Sequence, residues 1–379
     1  MAKMKEVIFE YSVRNKSGED IPVYSVTNEK GFCTDYFSKE VASKDRTTYK
    51  IVPRGYFAYN PSRINVGSID WQNYEDKVIV SPLYVVFGVS KYIDQQYLLH
   101  YFKSDKMLTL IKEYATGSVR DNLKLSSLEE FPVKLRPIDE QRKIAAILDK
   151  IGDLISKRRQ QLDKLDEMIK ARFMEIFGDP ETNTKNWRVL PMSKICSVGS
   201  SKRIYQSEQS SSGVPFWRIS DLTNLITTGT VTPELYIPEE RYKELKTQGQ
   251  VPAPGDILIT SRGTLGQCYI VKVNDRFYFQ DGMISWLSGY MDGVTPLYIS
   301  YLFTMPGFRK QIDSMQAGST VAYLSITMIK KLKVMLPDIE SQQQFSSFVS
   351  KTEKTKTTIS RSLEKMETLK KALMQEYFG

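Results

Sequence analysis

Three cysteines and one histidine are the side chains of this 379-residue chain best suited to hold a soft metal or to act as nucleophile and base, and their spacing argues against both roles. Cys33, Cys196 and Cys268 lie far apart with no Cys-x-x-Cys, and no two of them, nor His100, stand at the short separations that gather zinc ligands. An odd, scattered set gives no disulfide framework either. A lone histidine leaves base-driven nucleophilic catalysis few candidates, and there is no Gly-x-Ser-x-Gly elbow. Neither the Gly-x-x-x-x-Gly-Lys-Ser/Thr loop for a nucleoside triphosphate nor the Gly-x-Gly-x-x-Gly turn for a dinucleotide or methyl donor occurs. Asn60-Pro61-Ser62-Arg63 begins like the Asn-Pro-Pro-aromatic motif of amino-methyltransferases but lacks its second proline and its aromatic residue. Glu75-Asp76-Lys77 and Glu244-Leu245-Lys246 match half of a nuclease motif without the preceding Pro-Asp, and read as solvated charge. The expectation is a chain with no catalytic centre and no metal site of its own.

What the sequence does have is an internal repeat. Gln141 to Leu148 (QRKIAAIL) resembles Gln342 to Val349 (QQQFSSFV), and Phe177-Gly178 recurs as Phe378-Gly379, both at an offset of 201 residues. The same offset relates Gly117-Ser118 to Gly318-Ser319, Leu123 to Leu324, and the segment from Tyr97 (YLLHYF) to that from Tyr298 (YISYLF). One offset sustained over about 80 residues marks a duplication. Each copy reads as a globular part rich in β-branched and aromatic runs, such as Val78 to Val89, Asp256 to Thr260 and Gln267 to Val273, broken by turn residues such as Pro53-Arg54-Gly55 and Pro254-Gly255-Asp256.

After Pro137 and after Pro337 the pattern changes to nearly forty residues of charged helix formers. Leu148, Ile155, Leu162, Ile169 and Ile176 recur every seven residues in the first stretch, while Ile359, Leu363, Met366 and Leu373 line the second. Neither stripe would stay covered on a lone helix, so the two are expected to pair antiparallel. The fold expected is α+β, with globular domains at 1–137 and 179–337 and long helices at 138–178 and 338–379. The chain carries 53 Lys+Arg against 44 Asp+Glu, a net +9. The helices are nearly balanced, with 9 basic and 8 acidic residues from Asp139 to Glu175 and 7 and 6 from Asp338 to Gly379. The excess therefore sits on the globular parts, where it suits a polyanionic partner. Composition is that of a folded protein, with 41% hydrophobic residues, and neither a long apolar span nor an apolar leader near Met1 to Glu10 is seen, so a cytoplasmic location without membrane contact is expected.

With this duplication and the helix-opening segment Pro137-Ile138-Asp139-Glu140-Gln141-Arg142-Lys143-Ile144-Ala145-Ala146-Ile147-Leu148-Asp149, the chain resembles the specificity subunit of type I restriction-modification systems. The resemblance extends through Val52 to Val66, the matching Val251 to Gly266, and the segment at Trp187 that looks like the opening of a target-recognition domain. It implies two DNA target-recognition domains, each reading half of a bipartite double-stranded target, held apart by a helix pair on which two methyltransferase subunits dock, with restriction and translocase subunits in the full complex. Methyl donor, ATP and Mg are then expected on partner subunits only. The first copy lacks a tryptophan-based opening, so its N-terminal edge is expected to be abbreviated, and the second helix has no counterpart to the Arg142-Lys143 charge.

A DNA-reading role places Lys44, Arg46, Arg54 and Arg63 in the first domain, and Lys202, Arg203, Arg218 and Arg262 in the second, toward phosphate. Asn60 and Ser62, with Thr260, Ser261 and Thr264, stand beside those arginines in short polar loops and are the candidates for base edges. Tyr56, Tyr59 and Trp71 are expected in the core. A different class remains open: a non-enzymatic two-lobed adaptor whose helices bind protein and whose basic lobes merely tether it.

Overall fold

Strand alternation builds two cores on the two faces of one small sheet, and the chain does this twice. The computed structural model describes residues 2–34, 45–115, 122–316 and 322–379. These form two compact units, Met1–Gln161 with Ile359–Gly379, and Leu162–Thr358. The division falls inside both long helices, Ile138–Phe177 and Ile339–Phe378, so each unit is a lobe plus one end of each helix.

In the first unit Ile8–Glu10, Val85–Val89, Phe57–Tyr59 and Ile69–Trp71 form an antiparallel sheet in that order. Phe57, Tyr59 and Phe87 point to a core shared with Tyr97, Phe102 and Leu148, while Ala58 and Val86 point to a second one with Val26, Phe32, Val52 and Val80. That is the period of two expected of a strand covered on both faces. The second unit repeats the plan with Ser197–Gly199, Ile284–Ser288, Ile257–Thr260 and Cys268–Ile270. Its Ile257 and Ile259 face one core and its Leu258 another. It adds a smaller sheet, Tyr236–Ile237, Val214–Trp217 and Tyr278–Phe279, flanked by helices Ile219–Thr228 and Glu239–Thr247. In the first unit Ala2–Lys3 pairs Pro132–Val133, and in the second Arg188–Pro191 pairs Lys333–Leu336 over four residues.

The helix ends are sewn into the lobes by equivalent residues. Gln141 is fully buried, its Oε1 accepting from the Asp94 amide at 2.9 Å and its Nε2 donating to the Tyr92 and Arg136 carbonyls. Gln342 does the same with the Thr295 amide and the Gly293 and Pro337 carbonyls. Phe378 lodges between Tyr97 and Tyr101, with ring centroids at 5.2 and 5.6 Å, and Phe177 lodges against Tyr298 and Phe345 at 4.9 and 5.4 Å. Each unit therefore needs both helices to close its core.

Within each unit the two helices run antiparallel. Arg159 pairs with Glu367 at 2.6 Å and Lys370 lies over Gly152 in the first, and Lys356 pairs with Asp166 at 2.6 Å in the second. Leu148, Ile155 and Ile169 of the expected stripe are buried. Leu162, Ile359, Leu363 and Met366 are half-buried, because away from a lobe a single partner helix covers only one side of the seam, while Leu373 is half-buried against the core of the first unit. Among the described residues no helix is long and apolar enough to cross a membrane.

Candidate nucleic-acid interface

The loop after Phe57–Tyr59 is held by its own polar groups. Asn60 Oδ1 accepts from the Ser62 amide (3.1 Å) and hydroxyl (2.9 Å), a side chain closing the turn in place of backbone. Behind it Tyr59, fully buried, donates its hydroxyl to the Leu123 carbonyl, and the Leu123 amide donates to the Pro61 carbonyl. Gly67 closes the loop with φ 87°, and a Cβ there would meet Asn28 Oδ1 at 2.5 Å. The result is an exposed Arg63 at the mouth of a cavity of about 430 Å³ shared with Thr27, Asn28, Glu29, Lys30 and Val66.

In the second unit the Leu324 amide donates to the Ser261 carbonyl, so the loop after Ile257–Thr260 hangs from the same bond. Here the expectation of surface hydroxyls is corrected. Thr260 is fully buried, donating to the Thr264 carbonyl and accepting from the Gln267 amide, and Ser261 is spent on Ser285 at 2.7 Å. The loop turns at Gly263 and Gly266 with φ 70° and 74°; backbone bonds close its neck, from Gly266 to the Thr260 carbonyl and from Thr260 to the Gln267 carbonyl, and the Thr260 hydroxyl pairs two further backbone groups inside it. Arg262 and Thr264 are left exposed, with the Arg262 guanidinium 5.4 Å from the Tyr323 ring centroid.

Four of the remaining basic candidates are tethered. Arg46 pairs with Asp20 at 3.3 Å; Arg54 donates to the Tyr74 and Glu75 carbonyls and lies 3.8 Å from Asp76. Arg203 donates to Asp281, and Arg218 to Glu234 with Asp221 at 3.6 Å. Lys202 is exposed, its backbone clamped on both sides by the Tyr278 hydroxyl. Lys44, and the Gly117-Ser118 and Gly318-Ser319 pairs, lie outside the described residues. The structure thus gathers Asn60, Ser62 and Arg63 at one site and Arg262 and Thr264 at another. The Asn28–Lys30 turn beside Arg63 was missed by sequence reading, since only the fold brings it there.

Behind the first site a polar chain runs to the long helix. Trp71 Nε1 donates to Gln96 Oε1, Gln96 Nε2 donates to Asp149 Oδ1, and His100 Nε2 lies 2.8 Å from the same oxygen. Burial pulls the Asp149 carboxyl upward, but the hydrogen bonds from His100 and Gln96, with the Lys370 charge, hold it below its ordinary value. The thiol of Cys196 is pushed up to about 12 by burial, which makes it unreactive at neutral pH.

Two lobes of one plan, each presenting an arginine-bearing loop and each closed by both of two paired helices, define a duplicated recognition module. A family model described as the type I restriction modification DNA specificity domain matches residues 3–166 and again 184–368, and the chain belongs to that family. A Haemophilus influenzae protein named as a type I restriction enzyme specificity subunit is 26% identical over 308 residues, covering 78% of this chain and 75% of the relative. The MjaVIII specificity subunit of Methanocaldococcus jannaschii is 21% identical over 300 residues, covering 75% and 69%. The fold is shared with the crystal structure of a type I S subunit from M. genitalium, at TM-score 0.57 and 14% identity over all of this chain and 95% of that one. A chain from a type I restriction-modification assembly matches at TM-score 0.59 and 16% identity, over all of this chain and 96% of its own length.

Proposed function

We propose that the chain acts as the DNA-specificity subunit of a type I restriction-modification complex. The first lobe reads one half of a bipartite duplex target through the Asn60–Arg63 loop and the second reads the other half through Arg262 and Thr264. Exposed faces of the charge-balanced helices dock two methyltransferase subunits, with restriction and translocase subunits joining them. The chain itself transfers no methyl group and cuts nothing; methyl donor, ATP and Mg act on its partners. One observation carries this reading: two lobes of the same plan offer an exposed arginine on loops hung from equivalent bonds, Leu123 to Pro61 and Leu324 to Ser261. Family membership supports it.

Two measurements test it. The chain with its methyltransferase partner is expected to retain one duplex sequence over shuffled ones, and methylome mapping in a host carrying both should return a bipartite motif; equal retention of all duplexes would favour the tethering adaptor. Incubated alone with labelled methyl donor and DNA, the chain should transfer nothing above background.

A further inference from the structure

We infer that the second lobe carries an anion-binding cleft that takes a phosphate of the DNA backbone, at a position where the first lobe has carboxylates instead. The cleft, about 490 Å³, is lined by Ser193, Lys194, Ser197, Gly289, Met291 and Lys330. Its walls are fixed by backbone bonds from Met192 to the Leu332 carbonyl (2.8 Å) and from Met291 to the Ile195 carbonyl (2.7 Å). Lys330 and Lys331 end the short helix Ile326–Lys331, whose start is capped by Ser325.

The first lobe builds the same scaffold. Met4 donates to the Phe131 carbonyl and Ser90 to the Val7 carbonyl, both at 2.8 Å, beside the helix Leu125–Glu129. By the bonds from Met4 and Met192, Lys194 corresponds to Glu6, and by the 201-residue offset Lys330 and Lys331 correspond to Glu129 and Glu130. The charges are inverted. In the first lobe the acids are answered within the fold: Lys3 and Lys5 bridge Glu130 at 2.5 and 3.1 Å, and Glu6 accepts from the Lys3 amide. In the second lobe Lys194, Lys330 and Lys331 are all exposed, and among the described residues none lies within ion-pair distance of a carboxylate. Some other cations of that lobe are paired, Lys310 with Glu181, Arg203 with Asp281 and Arg276 with Glu239, while Arg262 lies against the Tyr323 ring instead.

Lysines held together without a counter-charge repel one another, and a bound anion removes that repulsion. The exposed Ser193 and Ser197 add hydroxyls of the kind that accompany lysine on phosphate. A DNA phosphate is favoured over an acidic protein surface because the cleft sits on a lobe, whereas the proposed protein docking lies on the helices. The inference rests on the DNA reading of the preceding section.

The test uses the full chain assembled with its methyltransferase subunits, as wild type and as Lys194→Gln/Lys330→Gln, with target duplex titrated over a range of salt concentrations. The variant is expected to bind target and half-site variants more weakly by one common factor. Its slope of log affinity against log salt should be shallower by about two, with base preference unchanged, since phosphate contacts position without specifying. An unchanged slope overturns the cleft while leaving the specificity reading intact. So does a variant that loses its partner subunits yet keeps the wild-type slope, which would put an acidic partner surface there. A wild-type complex that selects no duplex overturns both.

Discussion

Arg262 is exposed while the Thr260 and Ser261 hydroxyls just before it face inward, so it and Thr264 are what a groove could meet. Arg262→Ala is expected to cost about 1 to 3 kcal/mol of binding if the guanidinium makes a bidentate base contact, with selectivity relaxed in one half of the target only. A phosphate contact would instead lower affinity uniformly and make the salt slope shallower by about one. Affinities for a panel of half-site variants at two salt concentrations separate these results, and relaxation of both halves together would refute the division of labour between lobes. The Arg63 site differs from its counterpart in having the Asn28–Lys30 turn along one wall. Chemistry at the two sites is therefore not interchangeable, although the loops hang from equivalent bonds.

The helix pair is uneven along its length. Ile169, buried among Phe173, Phe345 and Val349, is part of a lobe core, whereas Leu162 is half-exposed on the seam. Ile169→Glu should therefore cost about 3 to 5 kcal/mol, the penalty of an unpaired buried charge, and Leu162→Glu only about 1 kcal/mol. Thermal or urea unfolding of the two variants checks this; equal losses would mean that the seam, not the lobe junction, holds the helices. Lys356 shows how a seam position tolerates charge: burial draws its pKa down, yet Asp166 and Glu353 at 2.6 and 3.2 Å keep it raised.

Across the molecule, each unit closes only with helix from both copies of the repeat. The first unit takes Ile359–Gly379, and residues 158–178 are the sequence counterpart of that piece. A fragment ending at Gly178 should thus dimerise, Phe177 of each copy filling the place that Phe378 holds against Tyr97 and Tyr101. With methyltransferase subunits it should read a symmetric target built from the first half-site twice. Sedimentation as a monomer throughout the micromolar range would contradict this, and Phe177→Asp should weaken the association.

The duplication, the α+β class, the two long helices and the placing of net charge were all legible in the residues themselves. Heptad spacing, proline punctuation and the 201-residue offset are local or periodic signals that survive without a fold. Tertiary structure decided what depends on which groups face each other. Thr260 and Ser261 look like surface hydroxyls in a polar run, but tight-loop geometry turns them inward to satisfy backbone. Arg46, Arg54, Arg203 and Arg218 read as available cations until the fold sets carboxylates or carbonyls beside them. Lys194 lies 136 residues from Lys330 in the chain, and only the packing of a short turn against the helix Ile326–Lys331 brings the two to one cleft.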